Sequence, residues 1–396
     1  MPRSTEPAES LLASLLEALE RELPAAVELR RRLHADPELA HAERRTAATI
    51  AAALELPCQT AAGTGLLARA GDGAAPIVAR AELDGLPIRE RTGAPFAATG
   101  EAMHACGHDV HMAALVALAR AAHALREELP RPLVAAFQPS EEAHPSGARQ
   151  LAEGELAALA PAAVVAAHVH PELSWGSVAL DAGVVNASCD LFAITIAGEP
   201  AHGAYPHHGR DPVLALSEAV LALHARLGRR IDPLRTASLT VGVLEAGGAE
   251  NVIPAQARAR GALRAYDHAD RLELRALVEE VAAGVAAAHG CRARVELSHG
   301  EPALANDPRI VAAGRELLAH AGMRGAPPWR SVGSDDFAFF GELAPVAMAF
   351  VGLDGAEGFA RRPLHHPELL VPDAAVGAVA RALAVLYVAA CEALSV

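Results

Sequence analysis

The sequence predicts an α/β fold: an open mixed sheet formed by the outer parts of the chain, with an inserted ferredoxin-like (βαββαβ) module. Three observations lead there. Short apolar runs bounded by Gly and Asp alternate with helical periodicity up to about residue 185. From about Asn186 the order becomes strand, helix, strand, strand, helix, strand, which is that of a ferredoxin-like module. From about Glu301 the first pattern resumes. Residues 1–185 and 300–396 therefore read as one discontinuous domain and 186–299 as an insert. A chain of 396 residues suits two domains on a prior of roughly 150 residues each.

In order, residues 8–35 carry Leu and Ala at helical spacing, and Arg30-Arg31-Arg32 reads as a solvated face near the helix C-terminus. A second helix covers 43–54. Buried strands follow at 66–70 and 76–81, the latter leading to Glu82 and Asp84 at a strand's C-terminal edge, where open α/β sheets place their sites. Next, Met103–His111 packs His104, Cys106, His108, Asp109 and His111 into nine positions ahead of a helix over 112–129. In an extended loop Cys106 and His108 can face one ion, and Gly107 lets the backbone pass close by. Thiolate with imidazole suits zinc or another borderline-soft divalent ion. Taken alone, the cluster also suits a buried Cys with helix-start histidines and Asp109 as a cap.

Strand 132–137 ends in Gln138-Pro139-Ser140-Glu141-Glu142. Adjacent acids after an apolar strand are costly without positive charge nearby, which a metal would supply. One glutamate can then bind the ion while its neighbour handles a proton; an exposed acidic loop is the alternative. Residues 147–160 are helical, and strand 162–167 ends at His168 and His170. The insert reads as strands 191–196, 237–244, 255–265 and 291–297, with helices 211–227, capped by Asp211, and 269–288. Its loop 198–206 carries His202, a histidine that a mere turn does not need, while His207 and His208 read as solvent-facing. Asn306-Asp307-Pro308 opens another helix, 333–337 is a polar turn, and 346–351 is a strand. His365 and His366 follow, and Asp373 caps a closing helix over 374–394.

Composition narrows the function. Hydrophobic residues at 52% and charged ones at 21% supply a large core. A formal net charge of −14 argues against nucleic-acid binding. All 34 basic residues are arginine, which removes lysine Schiff bases, pyridoxal-phosphate attachment and the phosphate-loop lysine. The five cysteines (58, 106, 189, 291, 391) are scattered and odd in number, fitting a reducing compartment. The N-terminus lacks the basic and uninterrupted apolar segments of a signal peptide, and no 18-residue charge-free apolar run occurs. The expectation is a soluble cytoplasmic protein without a membrane partner.

With these residues in view, the chain resembles the aminoacylase/carboxypeptidase family of dinuclear metallopeptidases, in its amidohydrolase branch with hippurate hydrolase and the auxin–amino acid conjugate hydrolases. The likeness rests on eight motifs in the family's order: 80–87, 106–111, 138–142, 202–207, Asn251-Val252-Ile253-Pro254, Gly261-Ala262-Leu263-Arg264, 333–337 and Leu364-His365-His366-Pro367. The resemblance implies a site for two divalent metal ions, Zn²⁺ or Mn²⁺ with Co²⁺ or Ni²⁺ open. Cys106, His108, Glu142, His168 and His365 would be its ligands, and Cys106 the bridge. It implies Glu141 as general base, His202 offered across a homodimer, and Asn251 and Arg264 holding the substrate's carboxylate or oxyanion. His111 and Asp109 would orient ligands; His170 and His366 would be neighbouring or structural. The insert would be a dimerisation and lid domain that closes over substrate. Two positions depart from the family: Glu82 replaces the usual Asp, and Asp335 the usual Glu.

The activity so implied is hydrolysis of the amide bond of N-acyl amino acids to a carboxylic acid and a free amino acid. A dipeptidase or carboxypeptidase on the same fold is the enzymatic alternative, and a catalytically silent metal-binding scaffold the non-enzymatic one.

Overall fold

The computed structural model describes residues 6–395. The chain forms two compact units. The first holds the residues up to Gly183, with Ala305–Trp329 and the chain from Asp336 onward; the second holds Val184–Leu304 and Arg330–Asp335.

The first unit is built on an eight-stranded mixed sheet, in the order Cys58–Ala61, Gly65–Ala70, Leu133–Gln138, Ile77–Glu82, Ala163–Ser174, Val346–Asp354, Ser177–Ala179, Arg324–Gly325. Its four central strands run parallel. That arrangement needs crossovers, and the helix His108–Ala124 supplies the one between Ile77–Glu82 and Leu133–Gln138. Glu82 pairs with Gln138 and Arg80 with Ala166. Continuing that register by two residues brings His168 level with Glu82, so three adjacent strands present Gln138, Glu82 and His168 in one row. His168 itself is not the end of its strand, contrary to expectation: the strand runs on to Ser174, alongside Val346–Asp354.

The helices Glu6–Ala35, His108–Ala124, Pro308–Leu317 and Ala374–Ala393 share one apolar core with this sheet. Ala374–Ala393 is long and apolar enough to cross a membrane by length and composition, yet 89% of that stretch is buried inside the protein; here it is a core helix. Arg30 corrects the expectation of a solvated arginine face. It is 1% exposed and donates to Asp109 (2.7 Å), Asp373 (3.0 Å) and the Val371 carbonyl (2.8 Å). Asp373 therefore stands at the N-cap of the last helix without capping it by side chain.

In the second unit, strands Ser188–Ala197, Ala237–Ala246, Gln256–Ala265 and Arg292–Leu297 form an antiparallel sheet in the order second, third, first, fourth. This is the ferredoxin-like order. Pro212–Arg230 and His268–Ala288 cover it, each opened by an aspartate, Asp211 and Asp267, that accepts two backbone N–H groups.

Candidate metal centre

The cysteine–histidine segment is shaped by Gly107. Its backbone is left-handed (φ 89°), and a Cβ there would lie 2.5 Å from Val169 Cγ2. The turn thus passes tightly against the strand bearing His168 and leaves Cys106 Sγ 3.5 Å from His168 Nε2. The structure corrects the expectation of an extended loop followed by a helix to 129. The helix starts at His108 and ends at Ala124, so His108 and His111 share a face at i, i+3 spacing.

The glutamate pair is held by its backbone. Ser140, left-handed at φ 49°, donates its N–H to buried Glu43 (2.9 Å). Glu141 and Glu142 donate theirs to the two carboxylate oxygens of Asp84, at 3.1 and 2.9 Å. Three consecutive amides are thereby clamped by two buried acids. His365 arrives from far along the chain. Its N–H donates to the Ala105 carbonyl (2.8 Å), its φ is 64°, and its Nε2 lies 3.2 Å from Glu142 Oε1.

Donor atoms of Cys106, His108 and Glu142 lie within 4.8 Å of one another, as do those of Glu82, His108, His111 and His168. Their hydrogen bonds indicate which lone pairs remain. His108 Nδ1 donates to the Asp84 carbonyl (2.8 Å), while its Nε2 is buried without a hydrogen-bond partner, 3.9 Å from Glu141. His168 Nδ1 donates to the Val169 carbonyl at 2.6 Å. Each ring thus has its outer nitrogen anchored on a carbonyl and its Nε2 lone pair turned inward, the arrangement of a metal-ligating histidine. Burial, helped by His111, pushes His168 well below the usual range and keeps it neutral, as a ligand must be. Burial also opposes charge on His108, yet Glu82, Asp84 and Glu142 outweigh it and raise its pKa. That surplus of buried carboxylates is what a cation would balance. The donor set therefore fits divalent metal.

The model for peptidase family M20/M25/M40 matches residues 78–387. The chain belongs to this family. Among its M20 relatives, an N-acetyl-L-cysteine deacetylase of Bacillus subtilis is 35% identical over 368 residues, 91% of this chain and 86% of the relative. An N-acetyldiaminopimelate deacetylase of Shouchella clausii is 34% identical over 76% of this chain and 79% of its own length. A solved dinuclear metal binding peptidase of the M20 family from Bacillus subtilis superposes with a TM-score of 0.81, at 29% identity, over 94% of this chain and 99% of the other.

In this M20 chain, Cys106, His108, Glu141, Glu142, His168 and His365 come together in the first unit; His202, Asn251 and Arg264 lie in the second. His202 is exposed on a two-stranded ribbon, Ala201–His202 against Val252–Ile253, and Gly203 N–H donates to the Asn251 carbonyl at 2.7 Å. Its Nδ1 accepts from Ala204 N–H (3.0 Å), which leaves the ring proton on Nε2. Arg264 donates to the Val332 carbonyl at 3.0 Å. His170 packs against Trp329, ring centroids 4.7 Å apart, and His366 Nδ1 accepts from Glu368 N–H.

The sequence reading missed Glu43 and the network under the site, in which Arg80 is fully buried between Glu82, Gln138 and Asp336. A signal existed: an arginine inside an apolar strand must find acidic partners in the core.

Proposed function

We propose that this protein is a metal-dependent amidohydrolase that cleaves N-acyl amino acids, N-acetyl derivatives first among them, to a carboxylic acid and a free amino acid. The observation that carries the reading is the glutamate pair: Glu142 belongs to the donor cluster, and its chain neighbour Glu141 faces the same His108. The acetylated substrates named for the relatives support the acyl class.

Cys106, His108, Glu142, His168 and His365 would hold two divalent cations, and a thiolate with imidazoles favours zinc over manganese, cobalt or nickel. Bound there, the cations supply Lewis-acid polarisation of the amide carbonyl and make water more acidic. Glu141 takes the proton from the attacking water and hands it to the leaving nitrogen. His202 of a second copy donates from Nε2 to the oxyanion in a homodimer, the second unit serving for dimerisation and closure. Asn251 and Arg264 hold the free α-carboxylate, Arg264 bidentately. Five cysteines, scattered and odd in number, suit the cytoplasm.

The test is release of amino acid from N-acetyl, N-benzoyl and indoleacetyl amino acids and from dipeptides, with Zn²⁺ or Mn²⁺ added. Acylated compounds are expected to turn over, and Glu141→Ala to lower kcat by about 10²–10⁴-fold with metal content unchanged. Turnover of dipeptides alone would move the protein to the peptidases. Bound metal without turnover of any compound would make it a scaffold.

A further inference from the structure

Four donors, Glu82, His108, His111 and His168, lie close enough to hold one ion, but the hydrogen bonds of two of them leave no room for it. His111 Nδ1 donates to Glu82 Oε2 at 2.8 Å, and its Nε2 accepts the Val169 N–H at 3.1 Å. A neutral imidazole has one donor and one acceptor, and both are committed. The other oxygen of Glu82 is bonded to the Arg80 guanidinium. Arg80 continues to Asp336 (2.8 Å) and to Gln138 (2.7 Å), and Asp336 accepts from Ser146 Oγ at 2.6 Å. At the other end, Val169 is the residue whose carbonyl takes the His168 Nδ1 proton. A buried line thus runs from Asp336 through Arg80, Glu82 and His111 to the N–H of Val169, the residue whose carbonyl accepts from His168 Nδ1.

We infer that Glu82 and His111 are not ligands but a positioning pair, which holds the His168–Val169 backbone so that His168 Nε2 points at Cys106. The inference rests on the metal reading proposed above. It also gives a role to Glu82, whose two oxygens join Arg80 to His111.

The experiment measures zinc per protomer at saturation, zinc affinity by chelator competition, and the thiolate-to-cobalt absorption band of the Co²⁺-loaded protein. The proteins compared are native, His111→Ala and His111→Gln; the amide oxygen of glutamine can replace Nε2 as acceptor for Val169 N–H. For His111→Ala the expected result is an unchanged number of ions at saturation, an affinity loss of about 10–100-fold and a shifted cobalt band. His111→Gln should recover most of the affinity and the native band. Loss of one ion from either variant at saturating zinc would make His111 a ligand and overturn the inference, as would native affinity and spectrum in His111→Ala. Should His111→Ala not fold, His111→Gln decides alone, by ion count and band. A native protein that binds no zinc or cobalt would overturn the metal reading itself, a result distinct from any difference between the variants.

Discussion

At the scale of single residues, Asp84 shows how a carboxylate can act without touching substrate. It is fully buried, and its two oxygens accept the N–H groups of Glu141 and Glu142. Asp84→Asn keeps one acceptor and turns an NH₂ towards the other amide, donor against donor. The expected outcome is a loss of about 1.5–3 kcal/mol in urea unfolding and a fall in kcat of about 10²-fold as Glu141 shifts; wild-type values for both would remove the clamp from the account. His34 makes a different prediction. Burial opposes its charge, but Asp109 (2.9 Å) and Glu90 (3.0 Å) prevail and raise its pKa to about 9. A pKa above the unfolded value of about 6.5 means that the stabilisation is complete below about pH 6.5 and is lost as pH rises through about 9. It amounts to about 3 kcal/mol. Comparing urea midpoints of the native protein and His34→Gln between pH 6 and 10 should show the native advantage vanishing on the alkaline side; parallel curves would count against it.

At the scale of elements, the site is set by how one helix begins. His108–Ala124 can place His108 against the strand of His168 only because residue 107 takes a positive φ and carries no Cβ. Gly107→Ala should destabilise the protein by about 1–3 kcal/mol and weaken zinc binding, since Cys106 and His108 flank it. Chemical denaturation and chelator competition would check the two effects separately, and an unchanged zinc affinity would show that the turn does not set the donors. The same helix is anchored at its first turn by Asp109, which receives Arg30 from the first helix and His34 one turn later. Reading Arg30 as solvent-facing failed because its acidic partners, Asp109 and Asp373, are 79 and 343 residues away. Periodicity reports local amphipathicity, and no local signal distinguishes an arginine at a helix surface from one inserted into an ion network.

At the scale of the whole molecule, the proposed homodimer gives a test that needs no structure of the complex. Glu141→Ala lacks the base and His202→Ala the oxyanion donor, so each alone should be nearly inactive. Mixed and allowed to exchange subunits, they should recover about a quarter of native activity, since half the dimers are mixed and each of those holds one complete site. Recovery that never exceeds the sum of the separate variants would put His202 to work within its own protomer or remove it from the reaction. The sequence by itself determined the elements and the residue chemistry. Apolar runs, the Asp211 cap and a succession of strands and helices typical of a ferredoxin-like insert are local properties, and a Cys, His and Glu vocabulary is legible without coordinates. Tertiary structure alone decided which donors keep a lone pair: His108 and His168 turn Nε2 inward, whereas His111, with the same side chain, has both nitrogens committed to Glu82 and Val169. The physical reason is that hydrogen-bond saturation depends on partners brought together by strand register and helix packing, which the identity of a residue does not encode.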